Sequence, residues 1–115
     1  MINCLHLQHL SNQENRALHE LSAFIKARWP QAQLKVFGSK IKGTADGESD
    51  LDTLIELPLA ITEDVRREII HRVFEINLAF GTNLSVLIVF KDEWEHGYLT
   101  LLPIHSEVEE ESVTL

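Results

Sequence analysis

Hydrophobic residues at helical spacing mark the first predicted element of the chain, between residues 11 and 29. The apolar positions that recur at intervals of three and four are Leu18, Leu21, Ile25 and Trp29. This spacing puts them on one face of an amphipathic helix. Ser11, followed three residues later by Glu14, has the capping-box pattern of a helix start, and Pro30 disfavours helical geometry at the residue before it. We predict a helix that packs on a sheet, with Trp29 in the core.

A second helical pattern begins at Thr62 and continues to Phe80. Thr62 is a suitable N-cap, the acids after it suit the first turn, and Gly81 is a suitable stop. Its apolar positions are Val65, Ile69, Ile70, Val73, Phe74, Ile76 and Leu78. Its other face is basic and carries Arg66, Arg67, His71 and Arg72. We interpret the basic face as solvated helix surface; contact with a nucleotide or a partner protein is the alternative.

Three shorter stretches have the length and composition of strands. They are Gln33 to Phe37, Asp50 to Leu57 and Asn83 to Phe90. The last is apolar almost throughout, so we predict a buried strand there. Asp92 is the candidate cap of a short helix that follows. The acidic residues near the end are predicted to be solvated; they are Glu107, Glu109, Glu110 and Glu111.

Composition indicates an ordinary globular domain. The chain has 115 residues, of which 44% are hydrophobic and 24% charged. This length suits one domain, residues 1–115, with residues 1–10 as a flexible or accessory N-terminal segment. No apolar run reaches the length of a membrane span, and the first residues lack a basic region and cleavage site, so we expect no secretory signal. The single cysteine, Cys4, excludes an internal disulfide and fits a reducing cytosol.

The charge balance narrows the range of partners. Lys and Arg number 10 against 18 Asp and Glu, which gives a net charge of −8. Sequence-independent binding to DNA or RNA needs a basic face, so direct nucleic-acid binding is disfavoured. The same charge is compatible with a basic protein partner, with an oligomer, and with a nucleotide site in which metal ions screen the carboxylates.

The residues best suited to chemistry lie between the first two predicted strands, in the stretch FGSKIKGTADGESDLDTLIEL. Gly38 lets a backbone or a phosphate approach closely because it has no Cβ. Ser39 can cap a short helix from Lys40 onward, whose free N–H groups would then face an anion. Lys40 and Lys42 add positive charge. These residues predict a phosphate-binding site.

Two carboxylates follow that site. In a strand from Asp50 to Leu57, Asp50 and Asp52 share one face, because alternate side chains point the same way. Carboxylates held this close repel each other unless a cation lies between them. Mg²⁺ prefers such oxygen ligands, with substrate phosphates completing its coordination. The pair therefore predicts a metal site beside the phosphate site.

This stretch resembles the motif of the polymerase-beta-like nucleotidyltransferase superfamily, and more narrowly that of the minimal nucleotidyltransferase (MNT) domains. The family pattern is Gly-Ser, ten residues and Asp-x-Asp, matched here by Gly38-Ser39 and Asp50-Leu51-Asp52. The segment Gly38 to Gly43 also resembles the family's Gly-Ser-basic-x-basic-Gly form. The resemblance implies an α/β fold with a mixed sheet of three to five strands and helices mostly on one face.

The resemblance also implies an activity, namely transfer of a nucleoside monophosphate, AMP from ATP, to a hydroxyl acceptor. Asp50 and Asp52 would hold Mg²⁺ or Mn²⁺. Gly38 and Ser39 would seat the β- and γ-phosphates, and Lys40 and Lys42 would offset their charge. MNT domains are often encoded beside a HEPN-domain protein as prokaryotic toxin–antitoxin pairs. A HEPN-type partner, which would also be the acceptor, and a location in the prokaryotic cytoplasm are therefore expected.

One position departs from the family pattern. A third carboxylate normally stands on the strand next to the Asp-x-Asp strand, and the best-matching residue here is Ser85. Activity could be weak, could use Glu56 or Asp64 as a substitute, or could be lost. The alternative function is therefore a binding-only antitoxin or regulatory module that neutralises a HEPN-type partner. A small-molecule transferase is a weaker third alternative, because these residues include no second domain to build an acceptor pocket.

Overall fold

A computed structural model describes residues 10–38 and 50–115 of the chain and shows helices packed on a β-sheet. The helices are α1 (Asn12–Arg28), α2 (Glu63–Phe80), α3 (Lys91–His96) and α4 (Pro103–Glu111). The strands are β1 (Gln33–Phe37), β2 (Leu51–Leu57), β3 (Leu84–Phe90) and β4 (Val113–Thr114). A 3₁₀ turn, Tyr98–Leu101, separates α3 from α4. Cys4 and three residues of the predicted phosphate site, Ser39, Lys40 and Lys42, lie outside the described residues.

The sheet has four strands in the order β3-β2-β1-β4. β1 is antiparallel to both β2 and β4, whereas β2 and β3 are parallel and are joined through α2. The sheet is therefore mixed and its strand number lies within the predicted range. The pairing fixes the neighbours of Asp52, since its register partners are Phe37 on β1 and Ser85 on β3.

Each face of the sheet has its own hydrophobic core. On one face, Leu51, Ile55 and Leu57 of β2 pack with the buried faces of α1 and α2. On the other, Leu54 packs with residues of β1, β3, α3 and α4, namely Phe37, Val89, Trp94 and Val108. The two long helices therefore share one face, as predicted, and the short C-terminal helices cover the other.

The helix ends follow their local sequence signals. Ser11 and Glu14 form the predicted capping box, and the side chain of Thr62 accepts a hydrogen bond from the backbone N–H of Val65. Gly81 ends α2 in the left-handed conformation, at φ 66°. Asp92 is not the cap of α3, because that helix begins one residue earlier, at Lys91. None of the described helices is long and apolar enough to cross a membrane.

The prediction of a buried third strand is confirmed only in part. Among the described strands, β3 lies at the edge of the sheet and has β2 as its neighbour. Its alternate residues Ser85 and Leu87 are exposed, while Ile88 and Val89 are buried. Apolar content alone does not distinguish a strand covered on both faces from one at the sheet edge, because that depends on how the helices are placed.

The acidic tail is also not wholly solvated. Lys35 Nζ lies 3.0 Å from Oε2 of Glu56 and 3.0 Å from Oε2 of Glu109. The indole N–H of Trp94 donates to the same Glu109 oxygen at 2.8 Å. Burial disfavours the charge on Lys35, but the two carboxylates outweigh this and raise the pKa of Lys35. The network ties α4 to β1, β2 and α3, and so helps to fix α4 on the sheet.

Candidate active site

Asp52 lies near the start of β2, between β1 and β3. Alternate residues of a strand share a face, so the Asp52 side chain lies on the same face as Leu54, which belongs to the core beneath α3 and α4. The residue is half-buried. Its carboxylate therefore stands at the end of the sheet face that carries the C-terminal helices.

Gly38 follows β1 directly and lies against this carboxylate. Its φ of +91° is a backbone conformation that residues with a side chain rarely adopt. A Cβ added at this position would lie 2.6 Å from Oδ2 of Asp52. Gly38 was predicted to allow close approach, and the group that approaches it in the structure is the Asp52 carboxylate. The glycine bend and one of the predicted acids are thus brought together.

The surroundings of Asp52 favour its neutral form. Burial raises the pKa of Asp52 above its ordinary value, and the negative charges of Asp50 and Glu107 raise it further. Asp50 is exposed and immediately precedes β2, whereas Glu107 comes from α4. Two carboxylates therefore raise the pKa of Asp52 at this end of the sheet, and a bound cation would relieve the repulsion that Asp52 experiences.

The carboxylates at this end of the sheet supply some, but not all, of the ligands that a hard divalent cation needs. Asp50 and Asp52 offer carboxylate oxygens, the ligand type that Mg²⁺ and Mn²⁺ prefer. Within residues 10–38 and 50–115, however, no group of three or more His, Cys, Asp or Glu side chains is arranged to hold a metal. A metal at Asp50 and Asp52 would draw its other ligands from substrate phosphates and water, as Mg²⁺ commonly does.

Ser85 occupies the position beside Asp52 on the neighbouring strand. The two residues are register partners in the parallel β2–β3 pair, and Ser85 is exposed. Neighbouring strands lie about 4.8 Å apart, and paired residues point to the same face. A carboxylate at position 85 would therefore stand next to the Asp52 carboxylate, whereas the serine hydroxyl carries no charge.

Neither of the proposed substitutes lies near Asp52. Glu56 is four residues farther along β2, a distance of about 13 Å at the usual rise of a strand. It is buried and paired with Lys35. Asp64 is in the first turn of α2, which follows the other end of β2, and its partner is Arg67 at 3.4 Å. Strand direction therefore excludes both residues from the site.

Glu107 is the residue near the site that the sequence did not indicate. It is separated from Asp52 by more than half of the length of the described chain, and several other acids lie close to it in the sequence. No motif distinguishes it from Glu109 or Glu110. Its position follows from the packing of α4, through Val108, against Phe37 and Leu54.

The basic surface of α2 is remote from the carboxylates. α2 packs on the sheet face opposite to the one that carries Asp52. Arg72 approaches Glu75 at 3.4 Å and Glu20 at 3.9 Å, and its guanidinium lies 5.4 Å from the centroid of the Phe24 ring. The alternative of a nucleotide contact through this helix is therefore not supported.

Comparison with known protein families agrees with this arrangement. Residues 18–112 match the family described as "Nucleotidyltransferase domain". No curated protein and no solved structure gave a significant match to the chain. The matched segment runs from within α1 to just past the end of α4, and includes the strand with Asp52, the bend at Gly38 and the position of Ser85. The general chemistry of the domain is nucleotidyl transfer, and the chain belongs to the nucleotidyltransferase domain family.

Proposed function

We propose that this domain transfers AMP from ATP to a hydroxyl group of a protein partner, with Mg²⁺ held by Asp50 and Asp52. The observation that carries the proposal is the contact between the Asp52 carboxylate and the Gly38 bend. This contact supports a metal site at Asp52, next to the segment predicted to bind phosphates. Family membership supports nucleotidyl transfer in general.

In this proposal each residue has a limited task. Asp50 and Asp52 would hold the metal, which when bound would supply positive charge to offset that of the triphosphate and of the leaving diphosphate. Gly38 admits the Asp52 carboxylate next to the backbone. Ser39, Lys40 and Lys42, which lie outside the described residues, remain the predicted ligands of the β- and γ-phosphates.

The acceptor oxygen forms a bond to the α-phosphorus of ATP, and the bond from that phosphorus to the oxygen bridging to the β-phosphate breaks. The diphosphate leaves with the bonding electron pair, and the hydroxyl proton passes to solvent. Ser85 has no charge with which to take that proton at neutral pH. We therefore expect slow turnover.

A HEPN-type protein is the proposed partner and acceptor, which would make the pair a toxin–antitoxin system. The resemblance to MNT domains motivates this choice, and the net charge of −8 suits a basic partner. A second candidate function is a binding-only antitoxin. It is favoured by one specific observation, the exposed serine beside Asp52 where a third carboxylate would stand.

One experiment separates the two functions. The protein is incubated with α-³²P-labelled ATP, Mg²⁺ or Mn²⁺, and the protein encoded by the adjacent gene, and the transfer of label is followed on a gel. Label that disappears in Asp50→Asn and Asp52→Asn, but remains in the control Asp92→Asn, at an exposed position of α3, supports the transferase. A stable complex without label supports the binding-only function, and absence of both complex and label contradicts the proposed partner.

A further inference from the structure

The outer surface of α2 carries a stripe of large apolar side chains. Ile70, Phe74 and Leu78 are 47%, 60% and 70% exposed. They are spaced by four residues, so they form one continuous ridge along the helix. Their spacing, rather than their number, distinguishes them from the isolated apolar residues found on most protein surfaces.

The contacts of α2 show that this ridge faces away from the rest of the protein. Ile69, Val73 and Ile76 fill the core against the sheet. The side toward α1 is defined by Glu68, which pairs with Arg28 at 3.1 Å, and by Arg72, which approaches Glu20 at 3.9 Å. Glu68 and Arg72 each precede a ridge residue by two positions, about 200° around a helix. The ridge therefore has no packing partner among the described residues.

We propose that this ridge is the dimer interface of the protein, and that a second copy of the chain packs α2 against α2 in antiparallel orientation about a two-fold axis at Phe74. In that arrangement the two Phe74 side chains meet at the axis. Ile70 faces Leu78 of the second copy, because each lies four residues from Phe74. The ridges of residues spaced by four on the two helices would then interdigitate, which is the commonest class of helix–helix packing.

Charge complementarity favours this orientation. Arg67 and Gly81 each lie seven residues from Phe74, on opposite sides. Across the axis, Arg67 would therefore face the C-terminal end of the second helix. The last turn of α2 contains no basic residue of its own, and its carbonyl groups form the negative end of the helix, where Gln13 of α1 donates to the Phe80 carbonyl at 3.5 Å. A parallel pair would instead bring the arginines of both copies together.

The exposed area of the ridge is also close to the apolar area of a standard protein–protein interface. At ordinary residue areas, the three exposures correspond to roughly 350–400 Å² of accessible surface. A standard interface buries about 800 Å² per partner, of which a little more than half is apolar, or about 450 Å². The ridge thus supplies most of the apolar area of a standard interface. The inference does not depend on the proposed function, because α2 lies on the sheet face opposite Asp52.

Sedimentation velocity of the full chain in 0.15 M salt tests the proposal. We expect a dimer of about 26 kDa, twice the chain mass of 13.1 kDa. Phe74→Asp should weaken the dimer at least about 100-fold, as expected for a central aromatic residue. Arg67→Glu should weaken it roughly tenfold, because a carboxylate would then face the negative helix end of each partner.

The control is Leu101→Asp, since Leu101 is 83% exposed on the 3₁₀ turn and lies outside the ridge. It should leave the dimer intact, and all three variants should keep the native circular dichroism spectrum. A monomer at about 100 µM overturns the proposal, as does a dimer that resists Phe74→Asp but dissociates in Leu101→Asp.

Cross-linking tests the orientation separately. In a Cys4→Ser background, a short bismaleimide should join Ile70→Cys to Leu78→Cys when the two variants are mixed. Ile70→Cys alone should cross-link poorly, because two copies of residue 70 would be about 12 Å apart along the helix axis. Efficient cross-linking of Ile70→Cys to itself would rule out the antiparallel arrangement.

Discussion

Gly38 and Asp52 are packed so closely that a Cβ atom at residue 38 would lie 2.6 Å from the Asp52 carboxylate. The glycine is also at φ +91°. Residue 38 must therefore be glycine for two independent reasons, its backbone conformation and the lack of space for a side chain. Gly38 stands at the end of β1, where the predicted phosphate-binding segment begins, and the residue packed against it, Asp52, is a predicted metal ligand.

Gly38→Ala should destabilise the protein by about 2–3 kcal/mol and strongly reduce nucleotidyl transfer, because the methyl group strains the backbone and displaces Asp52. Gly81→Ala is the matched control. Gly81 is also at positive φ, 66°, but a Cβ there meets nothing within 4 Å. It should cost about 1 kcal/mol and leave activity intact. If urea denaturation shows equal losses of stability in the two variants, the contact with Asp52 adds nothing to the cost of a side chain at residue 38.

Glu107→Gln should lower the pKa of Asp52, because it removes one of the negative charges that raise it. Titration of the Asp52 side-chain carbon by ¹³C NMR measures this directly. Glu110→Gln is the control, since Glu110 is an exposed residue of the same helix that is not among the causes of the Asp52 shift. An unchanged Asp52 titration in Glu107→Gln would contradict the proximity of α4 to the site.

The same shift predicts a pH dependence. The folded-state pKa of Asp52 lies above its unfolded value, so between the two values the folded protein holds the proton more tightly. The stabilisation that protonated Asp52 provides is present at low pH and is lost as the pH rises through this window. Asp52→Asn should remove this part of the pH dependence in thermal denaturation without metal, and should raise stability at neutral pH. A destabilised Asp52→Asn protein at neutral pH would contradict this account.

Ser85→Asp should tighten Mn²⁺ binding by roughly tenfold, because the register places the new carboxylate beside Asp52. Isothermal titration calorimetry measures the affinity. Leu87→Asp is the control: Leu87 is exposed on the same face of β3, but it pairs with Leu54, one step away from Asp52. If the two variants bind Mn²⁺ equally, added negative charge rather than position 85 accounts for the gain.

Lys35→Met should destabilise the protein by about 3–5 kcal/mol, because it leaves the buried Glu56 carboxylate without its cation. The double variant Lys35→Met/Glu56→Leu should recover most of that loss, since an apolar pair can replace a buried ion pair. Thermal and urea denaturation of both proteins provide the comparison. Should the double variant be as unstable as the single one, the ion pair would have to contribute stability of its own.

The sequence alone determined the local elements and the family motif. Capping residues such as Ser11, Thr62 and Gly81 act on backbone groups within a few positions of themselves, so their effects are visible without a fold. The spacing of Gly38 and Asp52 likewise indicated a shared site, because a strand, a loop and a second strand bring such residues together.

Only the tertiary structure decided which distant residues surround that site. Ser85 stands beside Asp52 through strand register, and Glu107 approaches it through the packing of α4. Likewise, Glu56 is buried with Lys35 and the ridge on α2 is left uncovered. Each depends on how whole elements pack against one another, and that energy is distributed over many weak contacts that no short stretch of sequence contains.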